Sequence, residues 1–298
     1  MREHNTQDYK RGASSQTARR TTNGMQEPVE VISSTQNPRV KRVLALQQKS
    51  QERKAEGRFV VEGCRELQHC TEAGLKVECA FVCQDMAAQA MSTIPQGTPV
   101  HLVTARVYER MAYRGSTEGV VAVVESRHTQ LSDLQLPPHP LIIVLESVEK
   151  PGNLGAVLRS ADAAQADAVI VCDPLTDLFN PNLIRSSIGA IFTVPCVACT
   201  SQECIAFLRE HSIQILTAQL QDSRLYYDTP MLQGTAIVMG TESTGLTDVW
   251  RKAADAHIRI PMLGRLDSLN VSVSAAILLF EAVRQRQMHE AHAAQRKG

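Results

Sequence analysis

LIIVLESVEKPGNLGAVLRSADAAQADAVIVC, residues 141–172, decides the fold class. LIIVLESV is a near-continuous apolar run, the pattern of a strand buried on both faces rather than one alternating between core and water. A Gly-containing turn follows, NLGAVLRSADAAQ reads as a helix, and AVIVC is a second apolar strand. The alternation continues with NPNLIRSSIGAIF as a helix, VPCVAC a strand, SQECIAFLREH a helix, and IQILTAQL, TAIVMG and HIRIPM as strands before a last helix. Apolar strands separated by helices predict a mostly parallel α/β sheet, covered on both faces, over residues 140–288. Ligands of such sheets bind beyond the carboxyl ends of the strands.

Toward the N-terminus, ESRHTQLSDLQLPPHP (residues 125–140) holds three prolines and little apolar pattern, so residues 127–139 read as a linker. Before it, FVVEG, CRELQHCTEAG, VECAFVC, VHLV, TARVYERMAY and GVVAVVE mix strands and helices in a smaller α/β domain, residues 30–126. Asn37-Pro38 caps a helix in which Val40, Val43, Leu44 and Gln47 share a face and Arg39, Lys41, Arg42 and Lys49 surround it. Residues 1–29 are polar without periodicity and read as a disordered tail; HEAHAAQRKG, residues 289–298, reads as a frayed end. The 298 residues suffice for two domains, each with its own core.

Net charge is zero, yet residues 1–60 hold twelve Lys/Arg against six Asp/Glu. A basic segment suits contact with phosphate, although a solvated surface also explains it. No run of eighteen apolar residues exists and the first twenty residues lack an apolar signal core, so a protein without membrane spans is expected, cytoplasmic, or in an organelle if the Arg- and Ser-rich start is a transit peptide. The eight cysteines read as free thiols of a reducing compartment. Cys79/Cys83 and Cys196/Cys199/Cys204 lack paired zinc-site spacings and read as small buried hydrophobes, so no metal is expected.

Three loops carry polar residues at strand ends. GNLGAVLR places Asn153 at a helix start and Arg159 further along it. With Asp173 about twenty residues on, it resembles a dinucleotide fingerprint lacking one glycine, and a solvated helix arginine is the plainer reading. IVMGTESTGL sets Glu242 between Gly240 and Gly245 in a sharp turn. IPMLGRLDSLNVSVSAAILLFEA, residues 260–282, passes from strand through a polar turn (Gly264, Arg265, Asp267, Ser268, Asn270) into a helix. From Val273, the residues Ala276, Ile277, Phe280 and Val283 then share what reads as its core face.

Together, NLGAVLRSADAA, IVMGTESTGLT and IPMLGRLDSLNVSVSAAILLFE resemble, in this order and separation, the three motifs of the SpoU (TrmH) RNA 2'-O-ribose methyltransferases of the SPOUT superfamily. The segment ISSTQNPRVKRVLALQQKSQERKAEGRFVVEGCRELQHCTEAG is similar to the substrate-binding domain, folded like a ribosomal protein, of members acting on ribosomal RNA. The resemblance implies a trefoil knot in the C-terminal domain, S-adenosylmethionine as cofactor, and a homodimer whose active sites draw on both subunits. It implies cofactor contacts from Gly240, Ile260 and Leu269. The catalytic positions would be Arg159, Asn153, Glu242, Ser268 and Asn270, and RNA would meet Arg39, Lys41, Arg42 and Arg53. Its expected substrate is a guanosine of large-subunit ribosomal RNA. The alternatives are transfer RNA, a non-catalytic RNA-binding or ribosome-assembly factor on the same scaffold, and a nicotinamide dehydrogenase. Gln165 stands where the family has Gly, at a helix end that commonly turns left-handed.

Overall fold

The computed structural model describes residues 31–113, 118–241 and 244–295. The tail expected over residues 1–29 lies outside them. The first part runs β1 (Val31–Ile32), α1 (Pro38–Gln48), α2 (Ser50–Glu56), β2 (Arg58–Glu62), α3 (Cys64–Glu72), β3 (Val77–Cys83), α4 (Ala87–Met91), β4 (Val100–Val103), α5 (Ala105–Met111) and β5 (Val120–Glu125). These strands form one mixed sheet in the order β1-β4-β3-β5-β2. Asn37 caps α1 as read, its side chain accepting from the Arg39 N–H at 2.9 Å. The buried face of that helix is Val40, Val43 and Leu46, with Leu44 half-buried.

The second part runs β6 (Leu141–Glu146), α6 (Pro151–Ala163), β7 (Ala168–Cys172), α7 (Pro181–Ser186), α8 (Ala190–Thr193), β8 (Cys196–Cys199), α9 (Ser201–Glu210), β9 (Gln214–Ala218), β10 (Arg224–Leu225), β11 (Thr235–Met239), α10 (Asp248–Ala253), β12 (Ala256–Arg259) and α11 (Val271–Gln295). The seven strands pair in the order β10-β12-β9-β11-β6-β7-β8, every pair parallel. β6 is buried along its whole length, as its unbroken apolar run requires.

The structure departs from the sequence pattern at several points. NPNLIRSSIGAIF is not one helix, because Ile188 (φ 55°) and Gly189 (φ 83°) turn left-handed between α7 and α8. The short helix α10 has no apolar periodicity to announce it; its buried Trp250 anchors it. On α11 the buried face is Val271, Ala275, Leu278, Leu279 and Ala282. Val273 and Phe280 instead face water, Phe280 at 48% exposure, so the helix is apolar on two sides. Finally, the two sheets do not keep separate cores. One apolar cluster runs from Phe59, Val61 and Leu67 to Leu154, Leu158 and Ile184. Phe59 of β2 stacks on Phe179 at 4.5 Å and on Phe192 at 6.0 Å between ring centroids. Leu131, Leu134 and Leu136 of the expected linker also pack on the second sheet's core.

Gln165 does turn left-handed, at φ 52°, closing α6 without a glycine. Among the described residues, no helix is long and apolar enough to cross a membrane.

Candidate active site

The carboxyl ends of β9, β11 and β12 open on one cavity of about 590 Å³. Its walls come from the loop after β9 (Gln219 to Gln221), the turn after β11 (Gly240, Thr241, Thr244, Gly245) and the stretch after β12 (Ile260, Met262, Asp267 to Val271). The turn after β11 can form only on a glycine. A Cβ at Gly240 would lie 2.3 Å from the backbone C and O of Gly245 and 2.5 Å from the Leu246 N. Within the turn, the Gly245 N–H donates to the Thr241 carbonyl at 3.1 Å and the Thr244 N–H to the Thr241 hydroxyl at 3.0 Å.

The base of this turn is held by a residue that the sequence reading passed over. Glu146, 3% exposed at the end of β6, accepts from the Thr247 N–H at 2.9 Å and the Thr247 hydroxyl at 2.7 Å. A carboxylate is costly to bury without such donors, so the pair fixes how β11 leads into α10. Its signal in the sequence was a lone acid closing an apolar strand.

Asn270 joins two helix starts. Its Oδ1 accepts from the Ser272 N–H at 2.9 Å and the Ser272 hydroxyl at 2.6 Å, which caps α11. Its Nδ2 donates to Oδ1 of Asn153 at 3.2 Å, in the first turn of α6. A smaller pocket of about 110 Å³, lined by Ser147, Lys150 and Asn153, adjoins there, and Gly240, Thr241 and Val271 line both.

The fold thus brings together Gly240, Ile260, Ser268, Leu269 and Asn270 in the large cavity and Asn153 in the small one. Gly264 and Arg265 of the same polar turn point to solvent and line neither. Glu242 lies outside the described residues. Arg159 stands apart: it is exposed on α6, lines neither pocket, and makes no hydrogen bond or ion pair among the described residues. Arg39 and Lys41 are exposed on α1, while Arg42 is held by Glu56 at 2.7 Å and Glu78 at 2.5 Å. Arg53 is corrected. It is 5% exposed, pairs with Asp177 at 2.5 Å and donates to the Leu46 carbonyl at 2.6 Å, so it fastens α2 to the second sheet's loops and offers nothing to RNA.

Does the large cavity suit a nucleoside cofactor? Oδ and Oγ groups of Asp267, Ser268 and Ser274 share it with apolar Leu246, Leu269 and Leu278. More telling is Gln219, whose Oε1 is buried at the wall without a hydrogen bond while its Nε2 donates to the Gln221 carbonyl at 2.9 Å. A buried orphan acceptor is rare and costs about 1–3 kcal/mol. An amino or hydroxyl donor of a bound nucleoside would satisfy it, and the bare backbone at Gly240 admits a flat base edge. The residues fit such a group.

Comparison with known proteins agrees with this geometry. Residues 140–280 match the SpoU rRNA Methylase family and residues 37–122 the MRM3-like substrate binding domain. The chain is 36% identical over 197 residues to the 23S rRNA (guanosine-2'-O-)-methyltransferase RlmB of Bordetella pertussis, covering 64% of this chain and 80% of that protein. It is 26% identical to the 23S rRNA (guanosine(2553)-2'-O)-methyltransferase RlmP of Bacillus subtilis, over 84% of this chain and 97% of the other. Among solved structures, the AdoMet-bound rRNA methyltransferase from Sinorhizobium meliloti superposes with a TM-score of 0.78 at 29% identity, covering 86% of this chain and 97% of that one.

Proposed function

The chain belongs to the SpoU rRNA methylase family, and on that premise we propose that it transfers a methyl group from S-adenosylmethionine to a ribose 2'-hydroxyl of ribosomal RNA. The observation that carries this reading is the junction of a nucleoside-sized cavity with the Asn153–Asn270 bridge across Gly240. A guanosine of large-subunit RNA is the substrate favoured by the names of its relatives. The segment similar to a substrate-binding domain favours ribosomal over transfer RNA.

The cofactor supplies a methyl already activated by positive sulfur. What remains for the protein is alignment, and help for a hydroxyl that is a weak nucleophile at neutral pH. Gly240, Ile260 and Leu269 would hold the cofactor, in a C-terminal domain that this reading expects to be knotted. Ser268, Asn270 and Asn153 orient the ribose oxygen. Arg159 acts as a phosphate clamp and stabiliser of the developing alkoxide, because a solvated guanidinium is a poor base and a good fork-shaped donor.

Arg159 lines neither of its own chain's pockets, which supports a homodimer in which it serves the other copy. The outward apolar stripe of Val273, Ile277 and Phe280 on α11, packed beside α6, supports the same arrangement. Arg39 and Lys41 grip RNA phosphates, with Arg42 contributing less because two carboxylates already occupy it.

The test is transfer of labelled methyl from S-adenosylmethionine to unmodified total RNA, by wild type and Arg159→Ala side by side, with the modified nucleotide mapped. Label in one 2'-O-methylguanosine, reduced about 10²- to 10³-fold by Arg159→Ala with unchanged thermal stability, is the expected result. Cofactor binding without transfer to any RNA would favour a non-catalytic RNA-binding factor.

A further inference from the structure

Three cysteines separated in sequence meet at the carboxyl end of β7 and β8. Cys172 ends β7, Cys199 ends β8 opposite it in the parallel register, and Cys204 lies one turn into α9. All are free thiols, and their sulfur atoms lie within 4.8 Å of one another. The grouping differs from the one along the chain: Cys196 is not part of it, and Cys172, some thirty residues earlier, is. Cys172 and Cys204 are buried, whereas Cys199 is half-buried on the sheet's edge strand, which leaves a way in.

The spacing suits a metal. A point equidistant from three atoms 4.8 Å apart lies about 2.8 Å from each, against about 2.3 Å for a metal–thiolate bond. Each sulfur therefore needs to move by at most about half an ångström, within reach of side-chain rotation.

Asp173 and the Glu203 carboxylate flank the cluster, but neither is free to ligate. Asp173 accepts from the Ser201 hydroxyl at 2.6 Å and Glu203 from the Thr200 N–H at 2.8 Å. The amino end of α9 offsets part of the negative charge of thiolates placed there.

We propose that Cys172, Cys199 and Cys204 form a three-thiolate site for a single thiophilic d10 cation, zinc(II) or copper(I), separate from the cofactor cavity. Binding breaks three S–H bonds, forms three metal–sulfur bonds and releases the protons to buffer. Zinc(II) would take water as a fourth ligand, whereas copper(I) is satisfied by three sulfurs.

The experiment uses the full chain, stripped of metal and held under a phosphine reductant. It is titrated with cobalt(II) as a coloured stand-in for zinc, with zinc(II) against a chromophoric chelator, and with copper(I) against a copper(I)-selective chelator. One equivalent bound with a sulfur-to-metal charge-transfer band is expected, weakened at least tenfold in Cys199→Ser and unchanged in Cys196→Ser. Cys199 is half-buried, so its serine variant should keep the fold, which circular dichroism checks. The zinc and copper arms identify which cation the site prefers. No stoichiometric binding in any arm, or binding that survives Cys199→Ser, overturns the proposal and leaves three small hydrophobes packed beside Ile170 and Phe207.

Discussion

Gly240→Ala tests the cofactor cavity at its tightest point. The added Cβ would lie 2.3 Å from two backbone atoms of Gly245 and 2.5 Å from a third atom, on Leu246. Because all three belong to the main chain, no side-chain rotation relieves the clash. Ordinary contact near 3.4 Å requires the main chain at Gly245 and Leu246 to retreat by about 1 Å. Gly240 is not among the residues with positive φ, so alanine meets no conformational penalty there and the effect is purely steric.

Overpacking costs about 1–3 kcal/mol, against about 0.4–1 kcal/mol gained by restricting the unfolded chain. The net loss of about 1–2 kcal/mol lowers Tm by only a few degrees. The cavity suffers more, since displacement of one wall by about 1 Å costs on the order of 10²-fold in a well-fitted site. Calorimetric titration with S-adenosylmethionine should therefore show Kd raised about a hundredfold, or about 2.7 kcal/mol. Gly264→Ala is the control: a Cβ there meets nothing within 4 Å, and both Tm and Kd should stay at wild-type values. A Gly240→Ala protein that is folded and binds within threefold of wild type would refute the reasoning.

Other perturbations separate structure from chemistry. Hydrogen bonds from Arg42, then from Arg58, hold the Glu78 carboxyl at about 2 against partial burial, so its contribution is present above pH 4.5 and is lost as pH falls through about 2. With the side chain 30% exposed, solvent screening reduces that contribution to about 1–2 kcal/mol; urea unfolding near pH 6 and pH 2.5 should show wild type losing this much more than Glu78→Gln, and equal losses would exclude it. Arg53→Ala should cost about 3–5 kcal/mol by stranding Asp177, visible as a lowered urea midpoint, while the salt dependence of RNA binding stays unchanged. Asn270→Asp keeps the oxygen that caps α11 but loses the amide donor to Asn153, so methyl transfer should fall with Tm preserved; Asn270→Ala should lower both, the cap being worth about 1 kcal/mol.

The parallel sheet was legible because its strands are apolar without interruption, and only strands covered on both faces tolerate that. The break between α7 and α8 was not, because Ser187, Ile188 and Gly189 continue an acceptable helical pattern. Gly189 is instead set by a neighbour, since a Cβ there would lie 2.9 Å from the ring of His69 on α3. Periodicity also misjudged α11, where apolar residues fill two faces and spacing alone cannot rank them. The buried side is the one with small Ala275 and Ala282, which allow close approach. Arg53 was misread for a related reason: a basic stretch does not reveal which of its members turns inward to a carboxylate 124 residues away.

The candidate site was legible in its loops but not in its supports. Glu146 and Gln219 each lie at the end of a strand, where a single polar residue carries no pattern, and only the parallel register aligns them with the Gly240 turn. That register has an electrostatic consequence. It sets the amino ends of α6 and α11 side by side, joined through Asn153 and Asn270, so the partial positive charges of two helices converge beside the cavity. In the proposed reaction a cationic sulfur and an ionising hydroxyl become a neutral thioether, a neutral methyl ether and a proton released to solvent. Positive helix ends do nothing to hold the sulfonium and favour the oxygen as it loses its proton. The geometry is therefore directed at the nucleophile, an effect that grows only as the transition state is approached and so lowers the barrier rather than tightening the ground state.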